Sequence, residues 1–384
     1  MNTVFARAAA VVDLNNVANN VGVIRKMVGS DVRIMTVVKA NGYGHGIFEI
    51  SRKAVNSGAN CLGVATVMEG VFLRRWNIMH PILVLSPVFE EEFENLILNN
   101  LTGTIFSLEV AKKLAYVAGY LEKKAKVHIK IDTGMNRVGY DAKSKEAAEV
   151  AAAEILQIAA LDGIEVEGIY THLATSDSNA QFAQEQFAHF KHILGLIKDF
   201  GLHIPIRHIS NSGGILGFRE FDLDMVRAGV LTYGLAPSST REGALELGRL
   251  GFLPALTLKS RVAHIKHIGA GQSVGYSRNF FAERDMEVAS VPIGYADGLS
   301  RQLSNRGRVL INGKYCNILG NVCMDQFMVD ATGVGAKIRD EVIIVGTSGH
   351  EHIWAEDVAA WQRSINYEVA TSISERVPRF YVND

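Results

Sequence analysis

The chain has 384 residues, 48% of them apolar and 21% charged, with a formal net charge of −1. That balance describes an ordinary globular protein and gives no clustered basic footprint of the kind nucleic acid requires. Three scattered cysteines (Cys61, Cys316 and Cys323) exclude a disulfide framework and a CxxC zinc site, so no metal is expected, and a reducing, cytoplasmic setting fits.

The N-terminal MNTVFARAAAVVDL carries a short Ala/Val run that Asp13 interrupts, which reads as a first strand entering the fold and not as a signal peptide. No run of about 18 uncharged apolar residues follows, so no membrane span is expected. From Arg33 to Gly234, short apolar runs alternate with longer segments of helical spacing. The runs are RIMTVVKA, CLGVAT, PILVLSP, TGTIFS, KVHIKID, EVEGIYTH, PIRHISN and MVRAGV. Strand and helix in strict alternation imply parallel pairing, and eight strand candidates in this length predict a (β/α)8 TIM-type barrel over a doubly wound open sheet. After Pro254 the texture becomes strand-like with NG and DG turns, which predicts a mainly-β C-terminal domain with helices near AEDVAAWQRS and NYEVATSIS. Residues 238–251 read as the link, giving domains 1–240 and 241–384.

A barrel collects its chemistry at the C-terminal strand ends. The first barrel strand ends in VVKANGYGHG, where alternation puts Met35, Val37 and Lys39 on one face and sends Lys39 toward the barrel mouth. A strand-end lysine is most often a solvated charge; one desolvated beside other cations can form a Schiff base. Further along, the strand ends offer Arg137 in DTGMNRVG, His172, Asn211-Ser212-Gly213-Gly214, and Arg227 followed by Gly229-Val230. Singly, each has a bland reading: a surface or ion-paired arginine, a satisfied core histidine, an ordinary glycine loop. Together the loops suit a phosphate and the arginines an anionic ligand. In KVHIKID the same alternation turns His128, Lys130 and Asp132 inward. Lys130 near Arg137 then demands compensation, from Asp132 or from covalent neutralisation.

A Schiff-base lysine, a phosphate cradle and an arginine for a ligand ring or carboxylate suggest pyridoxal 5'-phosphate. An arginine cannot hold the pyridine nitrogen protonated, which weakens the electron sink and favours simple proton removal and return.

VVKANGYGHG, DTGMNRVG, YTHLATSD, HISNS, MVRAGVLTYGLAP, VPIGYADG, VCMDQ and INYEV, in this order, resemble the alanine racemase family across nearly the whole chain. The resemblance implies a pyridoxal-phosphate-dependent isomerase that interconverts L- and D-alanine, a source of D-alanine for peptidoglycan. It implies Lys39 as the aldimine lysine and one base, with Tyr276 of VGYSRNF as the second base. It places Tyr43, Asn211, Ser212, Gly229, Val230 and Tyr367 around the phosphate, His172 beside the cofactor, and Arg227 at the pyridine nitrogen. Arg137 supports the cofactor hydroxyl and the substrate carboxylate, and the Met324 N–H meets that carboxylate. Lys130 falls where some members carry a carbamylated lysine. Tyr276 and Met324 are implied to come from the partner chain of a homodimer with shared sites.

Two departures stand out. Gly275-Tyr276-Ser277 replaces the common SYG pattern, and Asn321 follows Gly320 where many members have arginine. Both bear on substrate preference and leave serine or broad-specificity racemisation as the alternative. A decarboxylase or a non-catalytic cofactor-binding protein with a related barrel is disfavoured by Arg227 and by the β domain carrying Tyr276 and Met324.

Overall fold

The structure is a computed structural model and describes residues 7–384; the expected first strand's opening residues, 1–6, lie outside the described residues. Two compact units emerge, and they are interleaved in sequence. One comprises residues 21–42 and 50–232, the other, among the described residues, 7–20, 43–49 and 233–384.

The first unit is the barrel. Its strands are β2 (Arg33–Val37), β3 (Cys61–Val64), β4 (Ile82–Pro87), β5 (Thr102–Ile105), β6 (Ala125–Asp132), β8 (Ile164–Tyr170), β9 (Ile206–His208) and β10 (Met225–Ala228), with a short β7 (Tyr140–Asp141) beside the end of β6. All are parallel and run in the order β10-β2-β3-β4-β5-β6-β8-β9. Between β9 and β10 the ring is drawn together by Asp224 N–H to the Arg207 carbonyl (3.1 Å) and Arg227 N–H to the Ser210 carbonyl (2.9 Å). The eight apolar runs of the sequence are these eight strands. Their near-continuous apolar character follows from burial on both faces.

Alternation holds inside the barrel. Met35, Cys61, Leu83, Tyr170 and Met225 form one buried cluster, and His128 and Lys130 are 4% and 3% exposed. The helices between strands start on side-chain caps: Thr66 Oγ1, Ser107 Oγ, Ser144 Oγ and Asn179 Oδ1 each accept a first-turn N–H.

In the second unit, β1 (Ala8–Asp13) pairs antiparallel with β11 (Leu256–Arg261) and parallel with β19 (Arg379–Val382). The first strand therefore belongs with the C-terminal sheet and not with the barrel, so the compact units do not follow the 240/241 boundary. The sheet continues through β12 (His264–Ile268), β13 (Met286–Val291), β14 (Arg308–Ile311), β15 (Lys314–Leu319), β16 (Phe327–Asp330) and β17 (Glu341–Ser348), with β18 (Glu351–Ile353) beside β17. The β14–β15 hairpin turns at Asn312-Gly313, both at positive φ (51° and 75°), as an NG turn demands. The expected link around residues 238–251 is instead mostly the helix Arg241–Arg249, started by Thr240, whose Oγ1 accepts the Gly243 N–H.

Candidate active site

Lys39 follows β2 by one residue and opens a turn of unusual hand. Ala40, Asn41, Gly42 and Tyr43 all have positive φ (52°, 54°, 60° and 50°), and Gly42 N–H closes the turn on the Val38 carbonyl (2.8 Å). Left-handed helical backbone costs an L-residue about 1–2 kcal/mol, so three non-glycine residues there represent stored strain. The reversal is thus not the work of glycine alone. Glu69 helps to hold it: Oε1 accepts the Ala40 N–H (2.7 Å), while Oε2 accepts from Ala65 (2.7 Å) and Thr66 (3.2 Å). Thr66 Oγ1 accepts the Glu69 N–H in return, completing a capping box. One carboxylate therefore ties the lysine turn to the start of the helix Val67–Arg75.

Partial burial lowers the Lys39 pKa below its usual 10.5, Arg137 lowers it further, and Glu69 opposes both. An amine held this way keeps a larger neutral fraction near neutrality, which imine formation and proton abstraction both require. Arg137 itself stands exposed in the loop after β6, where Asp132 Oδ1 accepts the N–H groups of Gly134 (3.0 Å) and Asn136 (3.1 Å).

Arg227, on β10, is 3% exposed and fully committed. Its guanidinium donates to the carbonyls of Thr171 and Ile209 (2.8 Å each), to His208 Nδ1 (2.8 Å) and to His172 Nδ1 (3.2 Å). A cation donating to two imidazoles requires both to be neutral, with their protons on Nε2. Burial, followed by the Arg227 charge, pushes both histidines well below 6.5. Burial also lowers Arg227 to about 10, so it remains a cation at neutral pH.

Lys130 is driven to about 7 by burial and by Arg227, with Asp132 pulling the other way. Its Nζ donates to the Ile131 carbonyl (2.6 Å) and lies 5.4 Å from the Tyr170 ring centre. No carboxylate forms an ion pair with it among the described residues, so the expected Asp132 partnership is electrostatic at most.

The loops after β9 and β10 are stitched together by Ser212, whose Oγ accepts the N–H groups of Gly229 (3.0 Å) and Leu231 (3.4 Å). Asn211 caps the short helix Ser212–Gly217 through Gly214 N–H (2.9 Å) and accepts from Ser176 (2.8 Å). The expected phosphate residues Ser212, Gly229 and Val230 are therefore adjacent and buried, while Asn211 supports the loop from behind.

In the other unit, Tyr43 is 9% exposed, with its ring 5.0 Å from Tyr233 and 6.3 Å from Tyr367. Burial and the nearby Tyr367 raise its pKa, so it stays a phenol and a hydrogen-bond donor. Gly44 must be glycine: a Cβ there would sit 2.0 Å from the Ala370 carbonyl oxygen, at a φ of 81°. Tyr276 is 71% exposed at the tip of a turn in which Gly275, Ser277 and Arg278 have positive φ. Asn321, which departs from the family pattern, is buried and donates to the Tyr276 carbonyl (2.9 Å) while accepting from Asn279 (2.7 Å). It braces the tyrosine turn. Met324 is 53% exposed, and its N–H has no acceptor among the described residues.

The residues fit pyridoxal phosphate: a depressed lysine at a strand end, a buried hydroxyl and backbone cradle after β9 and β10, and a rigid guanidinium on β10. Sequence reasoning passed over Glu69 and His208. The T-x-x-E spacing of Thr66 and Glu69 was the available signal for the first; a lone histidine in PIRHISN offered none for the second.

A family model described as the alanine racemase N-terminal domain matches residues 12–237, and one described as the alanine racemase C-terminal domain matches residues 255–381. The chain belongs to the alanine racemase family. Alanine racemases from Desulforamulus reducens and Clostridium perfringens are 40% and 42% identical over 375 and 374 residues, covering 97% of this chain and 98% and 94% of theirs. Among solved structures, the Bacillus anthracis alanine racemase with bound L-Ala-P is 34% identical with a TM-score of 0.90, covering 100% of this chain and 97% of its own. A Bartonella henselae alanine racemase with covalently bound pyridoxal phosphate is 27% identical with a TM-score of 0.86, covering 98% and 100%.

Proposed function

We propose that the protein racemises alanine with pyridoxal 5'-phosphate held on Lys39, using Lys39 and the partner subunit's Tyr276 as two bases. The observation that carries this reading is the lowered pKa of Lys39 in the same barrel as an arginine clamped on β10. The bound cofactor would acidify the Cα proton of an attached amino acid; everything else falls to the chain. Lys39 Nζ takes or returns that proton on one side, and a phenol serves the other. His172, with Nδ1 accepting from Arg227, keeps its Nε2 proton available to steady a phenolate. Arg227 remains a donor and never a proton source at neutral pH, which keeps the ring's electron withdrawal modest and confines the chemistry to proton exchange.

Ser212, Gly229, Val230, Tyr43 and Tyr367 are the proposed phosphate residues, with Asn211 bracing Ser212. Arg137 and the Met324 N–H are proposed for the substrate carboxylate, and carbamylated Lys130 is the proposed neutralised neighbour. Residues 21–42 and 50–232 supply the barrel with Lys39 and Arg227, and the unit containing residues 233–384 supplies the second base, in a cytoplasmic homodimer. All three cysteines are free, as a reducing compartment keeps them.

The test is chiral chromatography after incubation with pyridoxal phosphate in deuterated water, offering L-alanine and L-serine separately, with Tyr276→Phe alongside. Strong formation of Cα-deuterated D-alanine, little D-serine, and a loss of about 10²–10⁴ in the variant are expected. Comparable D-serine would move the reading to the broad-specificity alternative. Absence of any D-product would sink it.

A further inference from the structure

At the end of the barrel opposite Lys39 lies a cavity of about 360 Å³. Its rim is made by residues at or next to the first positions of their strands: Arg33, Cys61, Thr102, Lys126, Ile206 and Met225. This is the face where barrels place stability and not catalysis, and nothing in the proposed reaction uses it. The volume falls within the range of small-molecule sites.

Its lining has a definite chemistry. Met35, Leu83, Ile206 and Met225 form apolar walls, with Cys61 Sγ 3.4 Å from Met225 Sδ. Lys126 and Glu167 neutralise one another across 2.7 Å, and Thr102 Oγ1 donates to the same carboxylate (3.1 Å). Arg33 forms no ion pair among the described residues, so the mouth carries one net positive charge. The apolar throat ends at His128, which is 4% exposed and lines the cavity.

The histidine's tautomer is fixed from the far side. Arg227 donates to His208 Nδ1, so the His208 proton lies on Nε2 and points at His128 Nδ1, 2.9 Å away. His128 must then carry its own proton on Nε2, and that N–H has no protein acceptor among the described residues. Burial and the nearby Arg227 and Arg33 hold His128 neutral, at about 3.

The geometry points to a second ligand site at this end of the barrel, for a short aliphatic carboxylate whose charged end pairs with Arg33 at the mouth and whose chain fills the Met/Leu/Ile throat and packs against His128. A chain packed against His128 changes the surroundings of its ring N–H, which makes that resonance a reporter of occupancy.

The site is tested on the holoenzyme by calorimetric titration with hexanoate, with hexylamine as the cationic control, in the presence and absence of a saturating, equilibrated alanine mixture. The same titration is run on Arg33→Gln and on Ile206→Phe, which fills the throat; thermal melts establish that both fold. Histidine ring N–H resonances are followed in parallel on ¹⁵N-labelled holoenzyme. Expected are saturable binding of one hexanoate per chain that alanine does not displace, a loss of affinity of about tenfold or more in Arg33→Gln, no binding in Ile206→Phe, and a shift of the His128 N–H resonance. Hexylamine should give no saturable heat. Displacement by alanine would assign the binding to the catalytic mouth and overturn the proposal. So would the absence of saturable heat, its survival in both variants, or a His128 resonance that does not move. None of these outcomes depends on whether the enzyme racemises alanine.

Discussion

Lys130 shows how a single buried group can be read as both a liability and a handle. It has no ion-pair partner among the described residues, and its folded pKa near 7 lies far below the ordinary 10.5. Between those values the unfolded chain binds more protons than the folded one, so stability rises as pH climbs from about 7 toward 10.5. Below 7 the cost of burying the cation is fully in force. Lys130→Met, similar in volume and uncharged, should therefore melt higher than wild type near pH 6.5, with the gap closing toward about pH 9.5. If carbon dioxide caps the neutral amine, bicarbonate near pH 8 should raise the wild-type melting temperature and add the mass of one carbon dioxide, with neither change in the variant. A pH-independent gap would show that the amine is not desolvated as the structure has it. The inward placement of Lys130 was legible from alternation in KVHIKID. Its lack of a carboxylate partner was not, because alternation fixes which face a side chain takes and says nothing of what sits across the barrel.

At the scale of elements, strand identity was the most legible feature and connections the least. Eight apolar runs became eight barrel strands because parallel strands buried on both faces must be apolar throughout. The turn after Lys39 is rich in glycine, yet Ala40, Asn41 and Tyr43 share the left-handed backbone. Their conformation is imposed by partners distant in sequence, Glu69 among them, and no local pattern announces it. Likewise the stretch 238–251 looked like a link, although Thr240 three residues before Gly243 starts a helix there. Glu69 offers a test of the imposed turn. Glu69→Ala removes acceptors for Ala40, Ala65 and Thr66 and should cost about 2 kcal/mol in denaturant unfolding. Because Glu69 also raises the Lys39 pKa, the pH at which Lys39 takes up cofactor, followed by absorbance, should fall in the variant. Unchanged stability together with an unchanged pH profile would mean that the strained turn is held by something else. A stability loss alone would leave Glu69 as a helix cap and nothing more.

For the whole molecule, the interleaving of the two units was hidden because β1 and the barrel's first strand are both short apolar runs; only pairing with β11 and β19 tells them apart. The resemblance implied that Tyr276 serves the partner's site, and its surroundings bear on that expectation. The residue is 71% exposed on a turn strained at Gly275, Ser277 and Arg278 and braced by buried Asn321. Strain and bracing spent on presenting a phenol to solvent make sense if a second subunit receives it. A symmetric dimer makes the arrangement testable by complementation, because each site would take Lys39 from one chain and Tyr276 from the other. Lys39→Ala and Tyr276→Phe homodimers should each be nearly inactive. Mixed in equal amounts and allowed to exchange subunits, half the dimers become heterodimers, and one of the two sites in each regains both native residues. Racemisation should return to about a quarter of the wild-type rate per chain, with sedimentation confirming dimers throughout. If Lys39 and Tyr276 served the same site from one chain, exchange would restore nothing, since each chain would still lack one base.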